Sequence, residues 1–199
     1  MKTNTLVFVI LIIWFFIALL AGLSGVLYKL TPPTPQVVIF GQVLLLIVLF
    51  NLSKSLRLWM QSINLKYLIA VHISRLVGIY FLYLYSLRLL PYDFAVKGGV
   101  GDIIVAVSAL ILVICNFDNR KLNERIYLAW NTIGMLDIIF VVLTAARLSI
   151  DDRQSMTELF RLPLSILPTF LVPIIIFTHI IIYTRLFRGK PDIYTFGSR

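Results

Sequence analysis

Cysteine is nearly absent from this chain of 199 residues, where Cys115 stands alone. One thiol excludes an intrachain disulfide framework and any cysteine-rich metal site, and its place in an apolar run reads as inert packing. Catalytic signatures are missing too. No serine sits in a nucleophile elbow, and no HExxH or repeated-aspartate metal motif occurs. The string Gly98-Gly99-Val100-Gly101-Asp102 looks superficially like a phosphate cradle. No Lys-Ser/Thr pair follows it, however, and Lys97 precedes the glycines. Hydrolysis and phosphotransfer therefore lack support, no catalytic or metal-ligating set is assigned, and an enzyme is not the expected class. No composition shift marks a soluble domain and no fixed-period repeat stands out, so residues 1–199 read as one integral domain.

Acidic residues are outnumbered by two to one, nine against eighteen basic, which gives a net charge of +9. A basic excess of this size can signal nucleic acid. Here the basic residues gather at the ends of apolar runs, which points to membrane topology, and no nucleic-acid partner is expected. Hydrophobic residues make up 60% of the chain and mean hydropathy is +0.96, far outside the range of soluble domains. Six stretches are long enough, or nearly so, to cross a hydrocarbon core of about 30 Å: 6–28, 36–52, 66–87, 102–116, 126–148 and 163–187. The expected fold is all-α, a polytopic transmembrane helix bundle. The first run exceeds the 7–15 residues of a signal-peptide core and reads as a span.

With the N-terminus inside, the cytoplasmic side holds Lys2, Lys54, Arg57, Lys66, Arg120, Lys121, Arg125, Arg185, Arg188, Lys190 and Arg199. The opposite side holds Lys29, Arg88, Lys97, Arg147, Arg153 and Arg161. Eleven against six predicts both termini in the cytoplasm. The expected setting is the cell inner membrane. The expected partners are the lipid bilayer and either further copies of the chain or a membrane partner subunit.

Several strings carry local expectations. Gly22 and Gly25 in Ala21-Gly22-Leu23-Ser24-Gly25 suit close helix packing. The prolines of Thr31–Pro35 end the first span. Gln42 and Asn51 are candidates for bonds across helices. The fourth span is short, about 22 Å at 1.5 Å per residue. Residues 91–101 before it read as a short or re-entrant element, or as a plain loop. In the first case 91–102 form an outer-facing mouth beside Asp93 and Lys97, with Asp102 at its floor. Pro163 starts the sixth span, and Pro168 and Pro173 bend it.

Against this apolar background stand His72, Arg75, Asp102, Asn131, Asp137 and His179. Arg and Asp inside a span cost roughly 2.5–3.5 kcal/mol each, so three facing lipid would cost on the order of 8–10 kcal/mol. They are expected to face one another instead. Arg75 and Asp137 fall at similar depth. Asp102 lies nearer the outer surface, and His72, Asn131 and His179 lie roughly 6–9 Å to the cytoplasmic side of centre. Spacing groups His72, Arg75 and Gly78 on one face. The others are Asp102, Ala106, Ala109 and Val113; Asn131, Gly134 and Asp137; and Pro168, Val172, His179 and Tyr183. Each residue also has a plain structural reading. Asp102 caps the fourth span, Arg75 forms a structural ion pair with Asp137 or Asp102, the histidines are hydrogen-bonded packing residues, and Asn131 beside Trp130 fits an interfacial aromatic belt and a capping or interhelical bond.

Three strings together have a family look: Leu90-Pro91-x-x-Phe94-Ala95-x-x-Gly98-Gly99-x-Gly101-Asp102, Trp130-Asn131-x-x-Gly134-x-x-Asp137, and Pro168-x-x-x-Val172-Pro173 with His179 six residues on. The chain resembles, over roughly 70–190, a group of small uncharacterised bacterial polytopic membrane proteins. Lys97 departs from that pattern. The resemblance implies a bacterial inner-membrane setting and no activity. Transport of a small solute or of protons, through Arg75, Asp102, Asp137 and Asn131, is the leading expectation. A non-catalytic scaffold or partner subunit is the alternative. A haem-b electron carrier with His72 and His179 as axial ligands is a further one, and a membrane enzyme acting on lipid is the last.

Overall fold

The computed structural model describes residues 3–115 and 120–187, without the side chains of 120–122. Asn116, the expected end of the fourth span, lies outside that set, as do the side chains of Lys2, Arg120, Lys121, Arg188, Lys190 and Arg199 from the basic tally. Among the described residues all regular structure is helical. The α-helices are α1 (Thr3–Leu23), α2 (Thr34–Leu52), α3 (Lys54–Ser62), α4 (Leu65–Ala70), α5 (Gly78–Ser86), α6 (Gly99–Ile114), α7 (Arg120–Asp151) and α8 (Val172–Phe187). Six helical stretches are long and apolar enough to cross a bilayer: Thr3–Leu23, Thr34–Leu52, Leu65–Ser86, Asp93–Ile114, Asn123–Asp151 and Leu167–Phe187.

Their limits follow from local chemistry. Gly25 takes a left-handed conformation (φ 69°) that ends the first crossing before a 3₁₀ turn, Val26–Lys29. The second and third crossings are separated by α3, which sequence periodicity had not marked. Ser53 caps α3 by accepting from the Leu56 N–H at 3.2 Å, and Asn64 caps α4 by accepting from the Lys66 N–H at 2.9 Å. The third crossing is an α4–3₁₀–α5 composite, in which Val71–Val77 forms seven residues of 3₁₀-helix. Runs of that length are uncommon, and residues three apart eclipse one another along them. His72 and Arg75 are therefore stacked in line, more tightly than an α-helix would place them.

The fourth crossing departs most from expectation. The short element before it is a π-helical turn, Asp93–Gly98, that runs straight into α6. It is neither re-entrant nor a loop, and the crossing has 22 residues. Of the expected mouth over 91–102, Gly98, Gly99 and Asp102 are buried, Lys97 is exposed, and Phe94 and Asp102 line an internal cavity. Gly98 meets the Val141 side chain, Gly99 meets the backbone of Gly78, and Gly101 meets the Asp137 carboxylate.

The sixth crossing begins at Leu167 rather than Pro163. Pro168 falls in its first turn, where a missing N–H costs nothing. Pro173 lies inside, and its missing N–H frees the Thr169 carbonyl. Trp14 Nε1 and Gln42 Nε2 donate to that oxygen at 2.9 and 3.1 Å, which ties α1 and α2 to the first turns of the sixth crossing. Gln42 thus does bond across helices, while Asn51 donates to the Ile47 carbonyl of its own helix. α8 is buried on most of its circumference and is the central helix. α1 lies at the periphery with Ala18 as its one buried residue.

Candidate functional site

The site is built where the third and fourth crossings touch through their backbones. A Cβ on Gly78 would lie 2.3 Å from the Gly99 carbonyl oxygen, so no other residue fits there. Arg75 is three residues before Gly78 and Asp102 three after Gly99. The helices run antiparallel, and the glycine contact brings these two side chains face to face. Arg75 Nε donates to Asp102 Oδ1 at 2.6 Å. Arg75 Nη1 donates to the Gly134 carbonyl of α7 at 2.9 Å, and Nη2 donates to Asp137 Oδ2. The expected pairing of Arg75 with Asp137 or Asp102 is a pairing with both. Asp102 serves Arg75 and does not cap α6. Arg75 and Asp102 keep 1% and 4% of their side-chain surface, Asp137 16%.

One turn along lies a second layer. Asn131 is fully buried, and its Nδ2 donates to the His179 carbonyl at 3.1 Å. Asn131 Oδ1 then accepts from His179 Nδ1 at 2.8 Å, which places the ring proton on Nδ1. Thr178 donates to the Ile175 carbonyl at 2.9 Å, so His72 Nε2 donates to the Thr178 hydroxyl at 3.2 Å. The unprotonated nitrogens, His72 Nδ1 and His179 Nε2, are buried without a partner. Gly134 joins the layers: its carbonyl accepts from Arg75, and a Cβ there would lie 2.7 Å from His179 Cε1. Trp130 packs on both histidines and donates to Ser108 Oγ at 3.1 Å, so Trp130 and Asn131 belong to the interior and not to an interfacial belt. Beyond this layer, Tyr183 donates to Thr132 at 2.8 Å.

The histidine rings lie 4.1 Å apart between centroids, tilted by 46°. Aromatic pairs ordinarily sit about 4.5–7 Å apart, so no macrocycle fits between them. The haem-b reading, with His72 and His179 as axial ligands, does not fit. Among the described residues no group of three His, Cys, Asp or Glu side chains is placed to hold a metal ion.

The inferred faces are correct in their main members. Asp102, Ala106 and Ala109 are buried together, with Leu112 rather than Val113 completing the row. Thr178 was not anticipated, because a threonine in an apolar run carries no signal beyond its neighbour His179. A cavity of about 70 Å³ reaches Arg75 and Asp102 from the end of the bundle that holds Pro35 and Phe160. Beyond Arg75 and Asp102 its walls are apolar apart from Gln36 and Ser149, and they come from α2, α7 and the sixth crossing together with Phe81 and with Phe94 of the 91–101 segment. Asp93 and Lys97 instead pair on the surface at 2.7 Å, and Arg147 joins Asp93 at 2.8 Å.

Six apolar crossings around a buried arginine–dicarboxylate cluster define a polytopic α-helical membrane protein with a charged interior. The chain belongs to the family described as "Domain of unknown function (DUF8737)", whose model matches residues 32–187. That match covers both layers of the site and omits α1. No curated protein and no solved structure matches the chain.

Proposed function

We propose that the protein is a small proton-coupled transporter and that the Arg75–Asp102–Asp137 cluster is its exchangeable proton site. The supporting observation is charge. One guanidinium lies between two carboxylates in the bundle interior, which leaves one negative charge over. Holding an unpaired ion away from water costs several kcal/mol. One proton, shared by the two acids, makes the cluster neutral, and its release recharges it. A coupled pair of this kind titrates as a unit. The cavity of about 70 Å³ that reaches Arg75 and Asp102 has room for water beside the cluster. Asp102 lines that cavity and Asp137 does not, so the two acids open to different surroundings. Asn131 fixes the histidine layer that abuts the cluster through Gly134. The basic asymmetry supports an inner-membrane orientation with both termini cytoplasmic.

The tight Gly78–Gly99 contact and a guanidinium bonded through each of its three nitrogens favour a second reading, a scaffold or partner subunit in which the cluster only locks helices. Infrared difference spectroscopy on the reconstituted protein separates the two. The transporter reading expects a protonated-carboxyl band that titrates with pH and is lost in Asp137→Asn. It also expects a solute gradient, from a panel of small solutes, that moves protons into proteoliposomes with the wild type and not with the variant. A cluster with no titrating carboxyl band overturns the proton site and leaves the scaffold.

A further inference from the structure

We propose that the gap between α1 and the bundle is a binding site for one acyl chain of an anionic phospholipid, whose headgroup rests on the basic face of α3. α1 meets the bundle at Trp14 and Phe15, both against Phe170, and at Gly22 against Ser165 and Leu162. Toward its N-terminal end α1 rests on α3 and leaves the core helices. A groove of about 570 Å³ opens there, with Val7–Trp14 on one wall and Leu46, Leu49, Leu68 and Phe177 on the other. Its lining is almost wholly apolar, which suits a hydrocarbon chain and no polar ligand. Such a gap inside a bilayer does not stay empty.

The headgroup preference comes from α3. Leu56, Trp59, Met60 and Ile63 line the groove. At 100° per residue these four share one face, while Lys54, Arg57 and Gln61 fall on another. Neither Lys54 nor Arg57 pairs with an acid among the described residues. No Asp or Glu occurs anywhere in the chain before Asp93. An amphipathic helix with unneutralised basic residues at the bilayer surface attracts anionic headgroups. The groove also has a link to the charged interior, because Thr178 lines it and holds His72.

The three tryptophans provide the test. Trp14 and Trp59 line the groove, and Trp130 is buried in the core at 7% exposure as an internal reference. The full chain is reconstituted in phosphatidylcholine vesicles with rising fractions of acyl-brominated phosphatidylglycerol, or of acyl-brominated phosphatidylcholine. The expected result is quenching that saturates at a several-fold lower fraction of the anionic lipid. Lys54→Gln with Arg57→Gln, both on the outer face of α3, should bring the two curves together. Trp14→Phe with Trp59→Phe should remove the selective component and leave Trp130 emission. Equal quenching by both lipids in the wild type overturns the proposal. So does a selective component that survives loss of both groove tryptophans.

Discussion

Arg75 has three of its donor positions engaged by Asp102, Gly134 and Asp137, so its removal strands two carboxylates in the interior. Removing one acid has a different consequence, because Arg75 and the remaining acid still form a neutral pair. The one-to-two stoichiometry therefore predicts an asymmetry. Arg75→Leu should lose about 3–5 kcal/mol, the range for breaking a buried pair. Asp137→Asn keeps an acceptor for Nη2 and should lose about 1 kcal/mol, one hydrogen bond's net contribution. Thermal unfolding in detergent measures both. Equal losses would show that the two acids do not share the arginine. At this scale the sequence was legible in kind: the charged residues had to meet, since lipid penalises each of them. Which of them met was not legible, because rotamers and the Gly134 carbonyl complete the geometry and neither has a sequence signature.

Among the elements, the junction of the third and fourth crossings decides the site. A Cβ at Gly78 would meet the Gly99 carbonyl oxygen at 2.3 Å, and backbone has little room to yield. A Cβ at Gly101 would meet only the end of the Asp137 side chain, which can swing aside. Gly78→Ala should separate the helices and lower stability by about 1–3 kcal/mol, the usual cost of overpacking. Gly101→Ala should cost less overall and act by displacing Asp137 from Arg75. Unfolding temperatures for the two variants test that order, and a Gly78→Ala protein as stable as wild type would remove the backbone contact. The 3₁₀ stretch Val71–Val77 and the π-turn Asp93–Gly98 were not legible in advance. Both change the residues per turn without changing hydropathy, so no periodicity reports them. The glycine string left a short or re-entrant element and a plain loop both open, because flexibility and close packing demand the same residue.

For the whole molecule, the orientation rests on basic residues at the ends of the crossings. Reporter fusions at Gln61 and Asn123 are expected to report cytoplasm, and fusions at Thr34 and Gln154 the opposite side. A non-cytoplasmic signal from Gln61 would reverse the orientation and place the acyl-chain groove in the other leaflet. The family match begins at residue 32 and so leaves out α1. This agrees with the structure, in which α1 buries only Ala18 and is tied to the centre by Trp14 through the carbonyl that Pro173 frees.

The number of crossings and the all-α class were determined by the sequence alone. A bilayer about 30 Å thick accepts only helices whose backbone bonds are satisfied internally, and apolar run length counts them. The gathering of His72, Arg75, Asp102, Asn131, Asp137 and His179 in the interior followed from the same solvent argument. Tertiary structure alone decided that both acids share Arg75 and that the histidines touch each other, leaving no room for haem. It also decided that the cavity reaching Asp102 is walled by α2, α7 and the sixth crossing together with Phe81 and Phe94. Those outcomes depend on helix register and on close backbone contacts such as Gly78 against Gly99. Hydropathy has no term for either.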